Sequence, residues 1–133
     1  MNIKPTDSEL EILNILWTKG PSTVREIHEV LEQNKDAGYT TTLKLMQIML
    51  DKGLLKRDAS NKSHVYTANI SQGKTQGQMV QRLIDSAFNG SASQLVMQAL
   101  GNYKPNAEEL SEIKKYLDEM EDTNSKEKNS KNK

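Results

Sequence analysis

Three observations predict a mostly α-helical chain, a winged helix-turn-helix (three helices plus a β-hairpin wing) followed by a small three-helix dimerisation domain. Two T-x-x-E capping boxes, Thr6 to Glu9 and Thr23 to Glu26, each head an amphipathic stretch. A third stretch, Tyr39 to Leu55 (YTTTLKLMQIMLDKGLL), carries helical apolar spacing on one side and hydroxyl, amide and cationic groups on the other. Two short β-like segments flanking a Ser/Asn-rich tip follow it directly. The expected division of the 133 residues is 1–70 for the winged-helix domain, 71–122 for the helical domain and 123–133 for a disordered tail.

In the first helix Leu10, Ile12, Leu13, Leu16 and Trp17 make a broad apolar face, and Gly20 ends it. The lone Trp17 reads as a core anchor rather than a ligand platform. Pro21 and Ser22 turn the chain into a second helix striped by Val24, Ile27, Val30 and Leu31 and ending near Asn34. The short link NKDAG brings the third helix in at a steep angle, the helix-turn-helix pattern. In that third helix Thr40 is predicted as N-cap. Leu45, Met46, Met49 and Leu50 are predicted to be buried, and Gly53 to be the left-handed residue that stops the helix. The opposite face carries Thr41, Lys44, Gln47 and Asp51. Short hydroxyls, an amide and a long cation are the groups that reach phosphates and base edges in a major groove.

Leu54–Asp58 and His64–Ala68 read as the arms of a hairpin with its tip at 59–63. Lys56, Arg57 and Lys62 are expected on phosphates, and His64 on the hairpin or a phosphate. From Ser71 onward three helices each carry one apolar stripe. The first holds Met79, Val80, Leu83, Ile84, Ala87 and Phe88, the second Leu95, Val96, Ala99 and Leu100, and the third Leu110, Ile113, Leu117 and Met120. Small cores are marginal, so these stripes want a partner, and an identical chain is the simplest one. Met79, Leu83, Phe88, Leu95, Val96, Ala99 and Leu117 are the expected dimerisation residues. The charged, aromatic-free tail TNSKEKNSKNK is predicted to be disordered.

Composition removes other classes. With 35% apolar and 5% aromatic residues a large independent core is not expected. No apolar run approaches the length of a membrane span and no leader pattern opens the chain, so a soluble, cytoplasmic protein without membrane contact is expected. The absence of cysteine excludes thiolate metal sites, disulfides and cysteine catalysis. Formal net charge is zero, but residues 39–66 hold five Lys/Arg against two Asp/Glu, so the basic excess lies on the third helix and hairpin. His28 and His64 lie in different elements without an i, i+4 partner, which argues against zinc, and no cofactor is implied. The last helix carries its carboxylates on a solvated face without a convergent acid/base pair, so no enzyme is indicated. Ala68–Thr75, ANISQGKT, comes near a phosphate-cradling loop but has alanine where the first glycine belongs, and no buried parallel sheet to hold it.

The strings PTDSELEILNILW, GPSTVREIHEVL, YTTTLKLMQIMLDKGLLKRD and SHVYTANIS together resemble the penicillinase-repressor family (BlaI/MecI/CopY), winged-helix transcriptional repressors of β-lactamase, methicillin-resistance and copper-export operons. They cover about residues 4–71, and the helices after them match in layout. The resemblance implies a homodimer on a palindromic double-stranded DNA operator, with Thr40, Thr41, Thr42, Lys44 and Gln47 at the DNA. Leu43 sits where other members often carry a polar or basic residue, and offers apolar contact such as to a thymine methyl. The resemblance also implies an inactivating protease or sensor as partner. However, the cysteine-rich motif of copper-responsive members is lacking, and Gln98-Ala99 stands where β-lactam-responsive members carry a cleaved Asn-Phe pair. The inducing signal therefore does not transfer. The alternative reading is a winged-helix protein-interaction module without sequence-specific DNA binding, and a third is a nucleotide-binding enzyme using ANISQGKT.

Overall fold

The computed structural model describes residues 4–60 and 62–131. The chain divides into two compact units, Met1–Val80 and Gln81–Lys133.

In the first unit both capping boxes close. Thr6 Oγ1 accepts the Glu9 N–H at 3.2 Å and Glu9 Oε1 accepts the Thr6 N–H at 2.9 Å, which starts α1 (Asp7–Lys19). Thr23 and Glu26 repeat the exchange at 3.2 and 3.0 Å and start α2 (Val24–Glu32). Gly20, at φ +89°, ends α1 with its N–H on the Leu16 carbonyl. α3 (Tyr39–Asp51) ends two residues before the left-handed Gly53, with Lys52 as its C-cap. Ile12, Leu13 and Leu16 of α1, Ile27 of α2, and Met46 and Met49 of α3 meet in one core, closed by Leu54, Leu55 and Tyr66.

β1 (Leu55–Asp58) and β2 (Val65–Ala68) pair antiparallel, in a register running from Leu55↔Ala68 to Asp58↔Val65. A further bridge joins Ser22 to Tyr66 through two backbone bonds of 3.0 and 2.8 Å. It fixes the hairpin against the α1–α2 turn, so three helices and a hairpin form the winged helix the sequence predicts. Trp17 is half-buried at the rim of the core, where its indole N–H donates to the Ile70 carbonyl at 3.0 Å.

Three expectations change. Thr40 is not the N-cap: α3 begins one residue before it, capped by Gly38 without a side-chain bond. The Gly38 carbonyl takes the Thr42 N–H, so Thr40 lies in the first turn with its side chain in solvent. The compact units part within α4 (Gln72–Ala87) rather than at residue 70, and Thr75, in the first unit's share of that helix, is buried. The stretch expected to be disordered from residue 123 is helical through Lys131, the end of α6 (Ala107–Lys131). After Pro105 there is no Gly or Pro to stop this helix, Asp122 and Lys126 stand at the favourable i, i+4 spacing in the sequence, and the Thr123 hydroxyl donates to the Glu119 carbonyl.

The second unit contains the last turns of α4, then α5 (Ala92–Tyr103) and α6. Asn89 and Gly90, both at positive φ, terminate α4, and Ser91 caps α5. From Gln76 onward none of the described side chains is buried.

Candidate nucleic-acid interface

Helical spacing sets which α3 side chains look inward. Met46 and Met49 are fully enclosed, and Leu45 and Leu50 flank them half-buried. Thr40, Thr41, Lys44, Gln47, Ile48 and Asp51 are exposed on the other side. Thr42 departs from the interface expected of it. It is 2% exposed, one turn before Met46 on the inward stripe, and its hydroxyl lies 2.9 Å from His28 Nδ1. The resemblance placed Thr42 at the DNA; here a buried histidine supplies the partner that lets its hydroxyl turn inward.

Beside the start of α3 a groove of about 290 Å³ runs between α2 and the wing. Thr23 and Arg25 form one wall, Tyr39 and Leu43 another, and Lys62, Ser63 and His64 the wing side. The Arg25 guanidinium sits 6.0 Å from the Tyr39 ring centroid, within cation–π range. The His28 and Tyr39 rings stand nearly perpendicular, 5.5 Å apart between centroids. Arg25 went unremarked in the sequence, because an arginine inside a capping box reads as ordinary helix surface. Only the fold brings it to the same groove as Lys62 and His64.

Lys56 and Arg57 are exposed on β1, opposite Thr67 and Tyr66. Ser60 donates its backbone N–H to Asp58 at 3.0 Å, and this bond holds the Asp58 carboxyl below its ordinary pKa and shapes the start of the hairpin tip. Lys52, counted in the basic excess, is engaged elsewhere: its Nζ lies 2.8 Å from Glu9 Oε2. Arg25 and Lys62 line the groove with Tyr39 and Leu43 of α3, while Lys44, Lys56 and Arg57 are exposed outside it.

This layout covers a defined sequence relationship. Residues 5–119 match the family described as penicillinase repressor. The chain belongs to that family. Membership extends through both units of this penicillinase-repressor relative, not through the winged helix alone. The penicillinase repressor of Bacillus licheniformis is 23% identical over 114 residues, 86% of this chain and 89% of that protein. The transcriptional regulator BlaI of Mycobacterium tuberculosis is 26% identical over 117 residues, 86% of this chain and 83% of that protein. The methicillin resistance regulatory protein MecI of Staphylococcus aureus is 22% identical, covering 84% and 91% of the two chains.

Two other motifs find their structural context. Gly73, Lys74 and Thr75 of ANISQGKT lie in the first turn of α4, where Ser71 Oγ accepts the Lys74 N–H and the Thr75 hydroxyl donates to the Ser71 carbonyl at 2.7 Å. The motif is therefore a capped helix start. Gln98-Ala99 lies exposed within α5.

Proposed function

We propose that this protein is a transcriptional repressor that binds operator DNA as a homodimer. In this reading α3 enters the major groove, with Thr40, Thr41, Lys44 and Gln47 toward base edges and phosphates, while Arg25, Lys56, Arg57, Lys62 and His64 hold the backbone. The observation that carries the reading is the groove that Arg25, Tyr39, Leu43, Lys62 and His64 line together beside the start of α3. An exposed polar helix face borders a cation-lined groove there, although the whole chain is formally neutral. The names of the relatives, repressor and regulator, agree with it.

The dimer rests on a second observation. Met79, Leu83, Val96, Leu110, Leu117 and Met120 are all exposed in the single chain. Apolar stripes left open to water mark an interaction surface, and a second copy offers the same stripes in return. Phe88 and Leu95, half-buried, and Ala99, exposed, continue the surface.

Fluorescence anisotropy against duplexes recovered from a randomised library, repeated across salt concentrations, tests the reading. Repression through DNA requires log K to fall steeply with log salt, by about 0.9 per phosphate neutralised. Affinity insensitive to salt, or no recovered duplex, would reject it.

A further inference from the structure

Ile48 is exposed on α3 where a core residue has no reason to be. It is 40% exposed, and it lies outside the cluster that Met46 and Met49 complete on the inward side. Thr41, Lys44 and Ile48 fall at i, i+3 and i+7, so the isoleucine continues the stripe of a threonine and a lysine, both exposed. Gln47 and Asp51 adjoin it and are exposed as well. Leu43, the apolar residue that the sequence offered as a base contact, is differently disposed. It is half-buried against the core and turned to the groove shared with Arg25 and the wing.

A major groove displays one feature that rewards an apolar side chain, the C5-methyl of thymine; its other edge groups are donors and acceptors that isoleucine cannot satisfy. We propose that Ile48 is a specificity-determining residue that reads a thymine methyl in each operator half-site. The proposal rests on α3 entering the major groove. Its chemistry makes a narrower claim than DNA binding does: the group recognised is a single methyl, removed without any other change when thymine is replaced by uracil.

The experiment uses the full-length protein and a duplex that the wild type selects from a randomised library. Thymines are replaced by uracil one at a time, and each duplex is titrated by anisotropy. The wild type should lose about fourfold at one thymine per half-site, the affinity equivalent of one buried methyl group. Ile48→Ala should bind thymine and uracil equally at that position, and Ile48→Val should keep most of the discrimination. Ile48→Gln serves as a second loss variant, and circular dichroism confirms that each variant is folded. If Ile48→Ala keeps the wild-type discrimination, or if no uracil replacement affects the wild type, the assignment is overturned while DNA binding stands. If the wild type selects no duplex at all, the DNA-binding reading falls and this one with it.

Discussion

His28 Nδ1 and the Thr42 hydroxyl lie 2.9 Å apart in a buried contact that joins α2 to α3. His28 Nε2 lies 2.8 Å from Glu32 Oε1, and a carboxylate only accepts, so Nε2 carries a hydrogen and donates it. In the neutral ring Nδ1 then accepts the Thr42 O–H. Thr42→Val keeps the shape and strands Nδ1, with an expected loss of about 1–3 kcal/mol in urea denaturation. Thr42→Ser should recover most of that, and His28→Leu combined with Thr42→Val should cost less than the sum of the single changes. Strict additivity would mean that the contact contributes nothing.

Glu9 and Lys52 form a second cross-helix tie. Burial works to raise the Glu9 pKa, but the Lys52 ammonium and the Thr6 N–H outweigh it and hold the carboxyl below its ordinary value of 4.5. A carboxyl depressed in the folded state stabilises above its unfolded pKa, and that contribution is lost as pH falls through the folded value. The expected outcome is an acid limb of the stability profile that steepens below about pH 4.5 and flattens in Glu9→Gln. Identical acid limbs for the two proteins, followed by thermal unfolding across pH, would remove Glu9 from the account.

Lys44→Ala and Gln47→Ala should weaken operator binding and leave the melting temperature unchanged, since both side chains lie outside the core. A lost phosphate contact lowers the salt slope by about one, whereas a lost base contact relaxes specificity by roughly 1–3 kcal/mol. Combined replacement of Lys56, Arg57 and Lys62 should weaken binding about equally on every duplex. A triple variant that lost only the operator would assign base reading to the wing.

Leu83→Asp tests assembly. Leu83 is exposed in the single chain, so the aspartate is tolerated there and becomes costly only once a partner covers it. Sedimentation should show the variant dissociating at concentrations where the wild type is dimeric. Its operator affinity should fall by roughly 10² or more, because each half-site is then bound separately. A wild type that is itself monomeric at micromolar concentration would contradict the dimer.

The sequence disclosed most where the signal is local. Thr6/Glu9 and Thr23/Glu26 announce both helix starts within four residues, and the apolar spacing around Met46 and Met49 orients α3. The Ser22–Tyr66 bridge, the Glu9–Lys52 pair and the Arg25 groove join residues far apart in the chain, and no periodicity marks them. Thr42 was placed at the DNA by resemblance alone, and its partner His28, fourteen positions away, is marked by no local pattern. Ile48 carries no sequence signal of its own, because a single apolar residue on a polar helix face reads as ordinary surface. The helical stretch after residue 122 was missed because its composition is that of solvated chain, although nothing in it stops a helix.

The indole of Trp17, bonded to the Ile70 carbonyl, has a practical consequence. It is the protein's single tryptophan, so intrinsic emission excited at the red edge of the absorption band comes from one site, at the rim of the winged-helix core just before α4 begins. Subunit dissociation that leaves this core intact should be spectrally silent, whereas melting of the winged helix should shift the emission to the red. One unlabelled cuvette experiment thereby separates a Leu83→Asp protein that has only come apart from one that has unfolded.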